Sequence, residues 1–94
     1  MSGDEWQIAS AVILDETGLH ARPAVKLTKL AKKFTAAIEL QGDDKDRWVN
    51  AKSPNAVMKL RAGHNQPLTI RAQGSDATEA LDALKALIAR NFSD

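Results

Sequence analysis

Three residues at short spacing carry the chemistry that this chain could do: His20, Arg22 and Pro23, within Gly18-Leu19-His20-Ala21-Arg22-Pro23-Ala24. Asp15-Glu16-Thr17-Gly18 reads as a turn. Proline is tolerated in a helix only in its first turn, where backbone N–H groups have no intrahelical partner. Pro23 therefore fixes a helix start to within about a turn and puts His20 at or beside its N-cap. The unpartnered N–H groups of Ala21 and Arg22, with the positive end of the helix dipole, form an anion cradle. The same field opposes a further positive charge and favours the neutral, nucleophilic imidazole. A nucleophile, an anion cradle and a guanidinium side by side are what a group needs to accept and then release a phosphoryl unit. A histidine near a helix start is, taken alone, more often a solvent-facing surface residue. Arg22 and Pro23 at these offsets fit a single phosphate geometry with it.

The elements that must position these residues come from a chain of 94 residues, enough for one hydrophobic core and so one domain over 1–94, with 1–5 expected to fray. Hydrophobic residues make up 44% and charged residues 27%, the balance of an ordinary globular protein. A formal net charge of +1 argues against strong bulk attraction to nucleic acid or to an anionic membrane. With no cysteine, disulfides, thiol chemistry and thiolate zinc sites are excluded. No apolar run approaches the roughly 18 residues of a membrane span, and the N-terminus lacks a signal-peptide profile. The chain is expected to be cytoplasmic, with no membrane insertion, no metal and no cofactor.

Trp6 to Leu14 reads as a first strand, and Arg22 to Phe34 as a helix whose core face is Ala24, Leu27, Ala31 and Phe34, helped by Leu30. On its other side Arg22, Lys26, Lys29 and Lys33 form a basic stripe running back from His20. Such a stripe is commonly just a solvated face. Its contiguity with His20 favours an acidic docking partner instead. Ala36–Gln41 and Arg47–Ala51 read as a hairpin around the polar turn 42–46. Ser53-Pro54 is a helix-start signal, serine as N-cap with proline at the first helical position, and this second helix runs to about Arg61. Leu68–Ala72 is a fourth strand. Asp76 and Glu79 have capping-box spacing ahead of a last helix striped by Ala80, Leu81, Leu84, Leu87 and Ile88, with Phe92 at its end. The order βαββαβα gives an α+β class: a sheet covered on one face by helices. It also permits a ferredoxin-like arrangement with an added helix.

The string Thr17-Gly18-Leu19-His20-Ala21-Arg22-Pro23-Ala24, followed by Val49-Asn50-Ala51-Lys52-Ser53, resembles HPr, the histidine phosphocarrier family of the bacterial sugar phosphotransferase system. The likeness extends from Trp6 to about Phe92. It implies an HPr-like open-faced β-sandwich, a four-stranded antiparallel sheet with three helices on one face. It also implies that enzyme I, charged from phosphoenolpyruvate, phosphorylates Nδ1 of His20, and that the phosphoryl group passes on to an EIIA-type acceptor. Arg22 would contact the phosphate, and the protein would be a carrier rather than an enzyme. Ser53 matches a position phosphorylated by HPr kinase/phosphorylase in many members; the alternative is that it only caps its helix. Lys26 and Lys29, with Val57, Met58 and Leu60, are the expected partner-docking residues. Typical members follow that serine with an Ile-Met pair and a glycine. Here stand Pro54, Asn55 and Ala56, while Lys59 and Arg61 add charge, departures that bear on partner choice and leave room for a specialised carrier. His64 is expected to be a solvated loop residue. A rival function is a non-catalytic regulatory module docking through the basic helix face on an acidic protein or nucleic acid; the low aromatic content of 4% speaks against nucleic acid. Nothing exposed and apolar asks for more than a monomer.

Overall fold

Strict alternation in the longest strand sets the architecture. Leu68, Ile70 and Ala72 are buried while Thr69, Arg71 and Gln73 between them are not, so one face of the sheet carries the core and the other meets water. The computed structural model describes residues 5–43 and 46–93. Residues 1–4 of the stretch 1–5 expected to fray, and residues 44–45 of the 42–46 turn, lie outside the described residues. In chain order the elements are β1 (Gln7–Val12), α1 (Ala21–Ala31), β2 (Ala37–Gln41), β3 (Val49–Asn50), α2 (Pro54–Lys59), β4 (Pro67–Gln73) and α3 (Ala77–Ala89).

The strands form one sheet in the order β1-β4-β2-β3, and every neighbouring pair is antiparallel. β4 fills the gap between β1 and β2, with β3 at the edge, which excludes the ferredoxin-like alternative. Ile38, Leu40, Leu68 and Ile70 from the sheet meet Leu27 of α1, Val57 of α2, and Leu84 and Ile88 of α3 in one fully buried cluster. The buried face is thus covered by all three helices, the α+β open-faced sandwich expected from the sequence.

On the water-facing side, Arg71 lies opposite Ile8 on β1 and Glu39 on β2. Its guanidinium sits 4.3 Å from the Trp6 ring centroid and 4.0 Å from that of Trp48, and its Nε donates to Glu39 Oε1 at 2.8 Å. Stacking and charge pairing therefore join residues on or flanking all four strands across the open face.

Boundaries differ from expectation where local hydrogen bonding intervenes. α1 stops at Ala31 rather than Phe34 because Lys33 and Phe34 N–H turn back to Leu30 and Ala31 carbonyls at 3.0 and 3.2 Å. Lys52 Nζ then donates to the Phe34 carbonyl at 2.7 Å. Thr28, not assigned to the core face, is buried because its hydroxyl donates to the Val25 carbonyl at 3.0 Å. The first and third strands pair over only Gln7–Val12 and Val49–Asn50.

The expected Asp76–Glu79 capping box does not form. Asp76 is the N-cap of α3, yet its carboxylate makes no bond to its own helix and instead accepts the N–H groups of Thr35 at 2.9 Å and Ala36 at 2.8 Å. A tertiary pair of donors at the entrance of β2 outcompetes the local one. The Thr35 N–H, more than any other cause, holds the Asp76 carboxyl below its ordinary value of 3.8. A group depressed in the folded state stabilises above its unfolded pKa, and that stabilisation is lost as pH falls through the folded value. Asp76→Asn should therefore lower the urea midpoint at pH 7, and the gap to the parent should narrow below about pH 4. A gap that stays constant down to pH 2 would contradict this.

Candidate functional site

His20 is the N-cap of α1, in extended backbone with φ −86°, and its side chain makes no capping bond. Freed from capping, the imidazole projects from a helix start whose first N–H groups, on Ala21 and Arg22, have no intrahelical acceptor. Pro23 falls third in the helix and is buried, its missing N–H costing nothing there. The side chain of His20 is 40% exposed.

The turn before it is built from both ends. Asp15 Oδ1 accepts the Thr17 N–H at 2.8 Å and the Asp15 carbonyl accepts the Gly18 N–H at 2.9 Å, a side-chain-supported turn of the kind aspartate favours. Gly18 follows at φ +80°, and a Cβ there would stand 2.5 Å from the Ala62 carbonyl oxygen. Leu19 N–H donates to that same oxygen at 2.8 Å, with Leu19 buried. The loop that carries His20 is thereby pinned to Ala62, beyond the end of α2.

Asp15 returns as a neighbour of the imidazole. Its Oδ1 lies 3.6 Å from His20 Nε2, too long for a good hydrogen bond but close enough to favour the proton on that nitrogen. With the proton on Nε2, the lone pair is on Nδ1. This is the tautomer that the expected chemistry requires.

His20 stands as a ridge between two open hollows. One, of about 330 Å³, is lined by Asp15, Arg22, Pro23 and Lys26 with Asn91, Phe92 and Ser93 beyond the end of α3. α3 ends in a reciprocal pair of backbone bonds, Phe92 N–H to Leu87 O at 2.9 Å and Asn91 N–H to Ile88 O at 3.0 Å, with Phe92 buried against the core. Lys26 Nζ donates to the Phe92 carbonyl at 2.8 Å, fixing that wall to α1. The second hollow, of about 380 Å³, is lined by Thr17, Leu19, Ala21, Met58, Arg61, Ala62 and Gly63.

Arg22 and Lys26 thus share a hollow with His20. Lys29 does not; with Lys26, Leu30, Lys33, Leu87 and Arg90 it lines a separate groove between α1 and α3. Met58 and Leu60 are partly exposed, but Val57 is fully buried in the core. The expectation that Val57 docks partners is corrected: the inward face of the short α2 is the one that Val57 occupies. Ser53 Oγ accepts the Ala56 N–H at 3.3 Å, with Pro54 next in line, as the start signal implies. It is the far end of α2 that reaches the His20 hollow, and Ser53 lies at the opposite end, on the order of 12 Å along the helix from Arg61. Exposed His64 lines neither hollow. Among the described residues no three His, Asp or Glu side chains are grouped to hold a metal ion, and no helix is long and apolar enough to cross a membrane.

Asp15 and Arg61 were not legible as site residues. The aspartate's turn bond was a usable signal, since it folds a carboxylate back toward the residue that closes the turn. For Arg61 the signal was a helix end lacking a glycine. Arg61 has φ +52° in the first position past the C-cap Leu60, where glycine is enriched and a residue bearing a Cβ costs about 1 kcal/mol.

The family model described as the PTS HPr component phosphorylation site matches residues 9–90. This chain belongs to the HPr family, the phosphocarriers of the phosphotransferase system. It is 43% identical over 82 residues to the phosphocarrier protein HPr of Cupriavidus necator, covering 87% of this chain and 90% of that one. To the HPr of Haloferax volcanii it is 42% identical over 79 residues, 84% of this chain and 89% of the relative. The solved HPr-C-His from Thermoanaerobacter tengcongensis superposes with a TM-score of 0.85 at 34% identity, over 94% of this chain and 97% of that one. The HPr-type fold and the turn-to-helix setting of His20 are thus found together in one chain.

Since Gly18 admits no Cβ against Ala62, Gly18→Ala should destabilise by about 2 kcal/mol or more. A denaturation midpoint and the imidazole proton shifts of His20 would both move; an unchanged midpoint would show that the close approach is not essential.

Proposed function

We propose that His20 is the phosphoryl acceptor of a carrier cycle in which enzyme I donates and an EIIA-type protein receives. The observation that carries this reading is the Asp15–Nε2 contact combined with the N-cap position, which together present Nδ1 as the nucleophile beside unpartnered helix-end N–H groups. In the forward step the Nδ1 lone pair bonds to phosphorus as the bond from phosphorus to enzyme I breaks, and Nε2 keeps its proton. In the onward step the N–P bond breaks as the acceptor's bond forms, returning the imidazole unchanged. Arg22 supplies charge-assisted bonds to the phosphoryl oxygens, and the helix end adds oriented dipoles. The work is positioning and charge stabilisation rather than covalent machinery, so the protein acts as a carrier.

Lys26 and the partly exposed Met58 and Leu60 frame the docking face around His20, and Lys29 extends its charge along α1. Ser53 is a second phosphoryl acceptor in this reading, for HPr kinase/phosphorylase and ATP. Phosphate there would sit at a helix start and change the charge of the face that partners meet.

Incubation with phosphoenolpyruvate and enzyme I should leave an acid-labile, alkali-stable phosphate on His20, absent from His20→Ala. Arg22→Gln should slow its uptake roughly tenfold or more. No label with any of several enzymes I, or equal label on His20→Ala, would sink the carrier reading. Ser53→Ala should cost about 1 kcal/mol of stability through the lost cap and leave the rate of His20 labelling unchanged. A slowed rate would instead tie Ser53 to the transfer itself.

A further inference from the structure

Beside His20 two residues other than glycine and asparagine hold left-handed backbone, Arg61 and Phe92; Phe92 is buried in the core, whereas Arg61 is exposed. Its φ of +52° lies just past the end of α2, where its N–H donates to the Met58 carbonyl at 3.2 Å. The backbone there suits glycine or asparagine, and the chain does use asparagine at two of its other left-handed positions, Asn65 and Asn91. Nothing in the local conformation favours arginine. A strained residue retained beside a nucleophile points to its side chain.

That side chain lines the same hollow as His20 and Ala21, and none of the eight residues around the hollow is a carboxylate. The Arg61 guanidinium is exposed and has no hydrogen-bond or ion-pair partner among the described residues. The opposite hollow contains Asp15, whose carboxylate stands against Nε2. A phosphoryl dianion on Nδ1 is repelled from the Asp15 side and drawn toward the side that holds cationic charge without an acid. Arg22 enters from α1 across the helix start.

We infer that Arg61 is a second phosphate-contacting residue, closing on the phosphoryl group of His20 from the side opposite Arg22. This rests on the carrier reading above. It assigns Arg61 to the stability of the phosphorylated form: the guanidinium favours phosphate on this protein over phosphate on its donor, and favours the dianion over the monoanion.

Equilibration of enzyme I, phosphoenolpyruvate-charged, with the parent and with Arg61→Gln tests the first consequence. The exchange equilibrium should shift toward phosphorylated enzyme I by about tenfold in the variant, with Arg61→Lys in between. Phosphorus NMR titration of the phosphohistidine tests the second, since loss of the cation should raise the pKa of the phosphoryl group. A purely structural arginine would move neither. Arg61→Gly, which the left-handed backbone accepts best, should melt at or above the parent yet show the same two shifts, and it keeps the test available should Arg61→Gln fail to fold. Equal exchange constants and superimposable phosphorus titrations for parent and variants overturn the assignment of Arg61. A parent that takes no label overturns the carrier reading itself, a different and separately visible result.

Discussion

The contact on which the site depends is the close approach of Gly18 to Ala62. Leu19 N–H and the missing Cβ of Gly18 share one carbonyl oxygen, so the loop that carries His20 and the exit of α2 are held together at backbone distance. No side chain could substitute for this, because any Cβ would occupy the space of the acceptor. Two segments distant in sequence thereby become opposite walls of one hollow. Everything that surrounds the imidazole follows from where that contact puts it: Arg22 and Lys26 to one side, Met58 and Arg61 to the other.

The electrostatics of the site are asymmetric for a related reason. Asp15 has two duties within one short turn: its Oδ1 accepts the Thr17 N–H and lies against Nε2 of His20. The turn geometry that shapes the loop therefore also sets a carboxylate against one ring nitrogen of His20. Helix-end dipoles can act strongly here because the fold orients them in advance.

The sheet contributes by leaving the helix ends free. All three helices are spent on one face, burying Leu27, Val57, Leu84 and Ile88 against Ile38, Leu40, Leu68 and Ile70. The other face closes itself with the Trp6–Arg71–Trp48 stack and Glu39. Tertiary bonds then lock the helices to their neighbours: Lys26 to Phe92, Lys52 to Phe34, and Asp76 to the N–H groups entering β2. A rigid frame of this kind holds the start of α1 and the end of α2 at fixed separation, as positioning of a transferable group requires.

The amino-acid sequence by itself determined the elements and singled out His20 as the candidate nucleophile. Pro23 and Pro54 dated two helix starts, alternation through Leu68, Ile70 and Ala72 marked the buried face, and His20 with Arg22 carried the family signature. These are local properties, encoded in residue type and spacing over a few positions. Tertiary structure alone decided which groups meet. Asp76 abandoned a local capping box because Thr35 and Ala36 offered donors from another element; Val57 lost its expected docking role to the core; Lys29 was turned to a separate groove. Arg61 came to face His20 only because Gly18 packs on Ala62, a contact between segments that no periodicity links. Hydrogen bonds and charges reach a few ångströms in space, and the chain positions that share those ångströms are set by the folded topology rather than by spacing along the sequence.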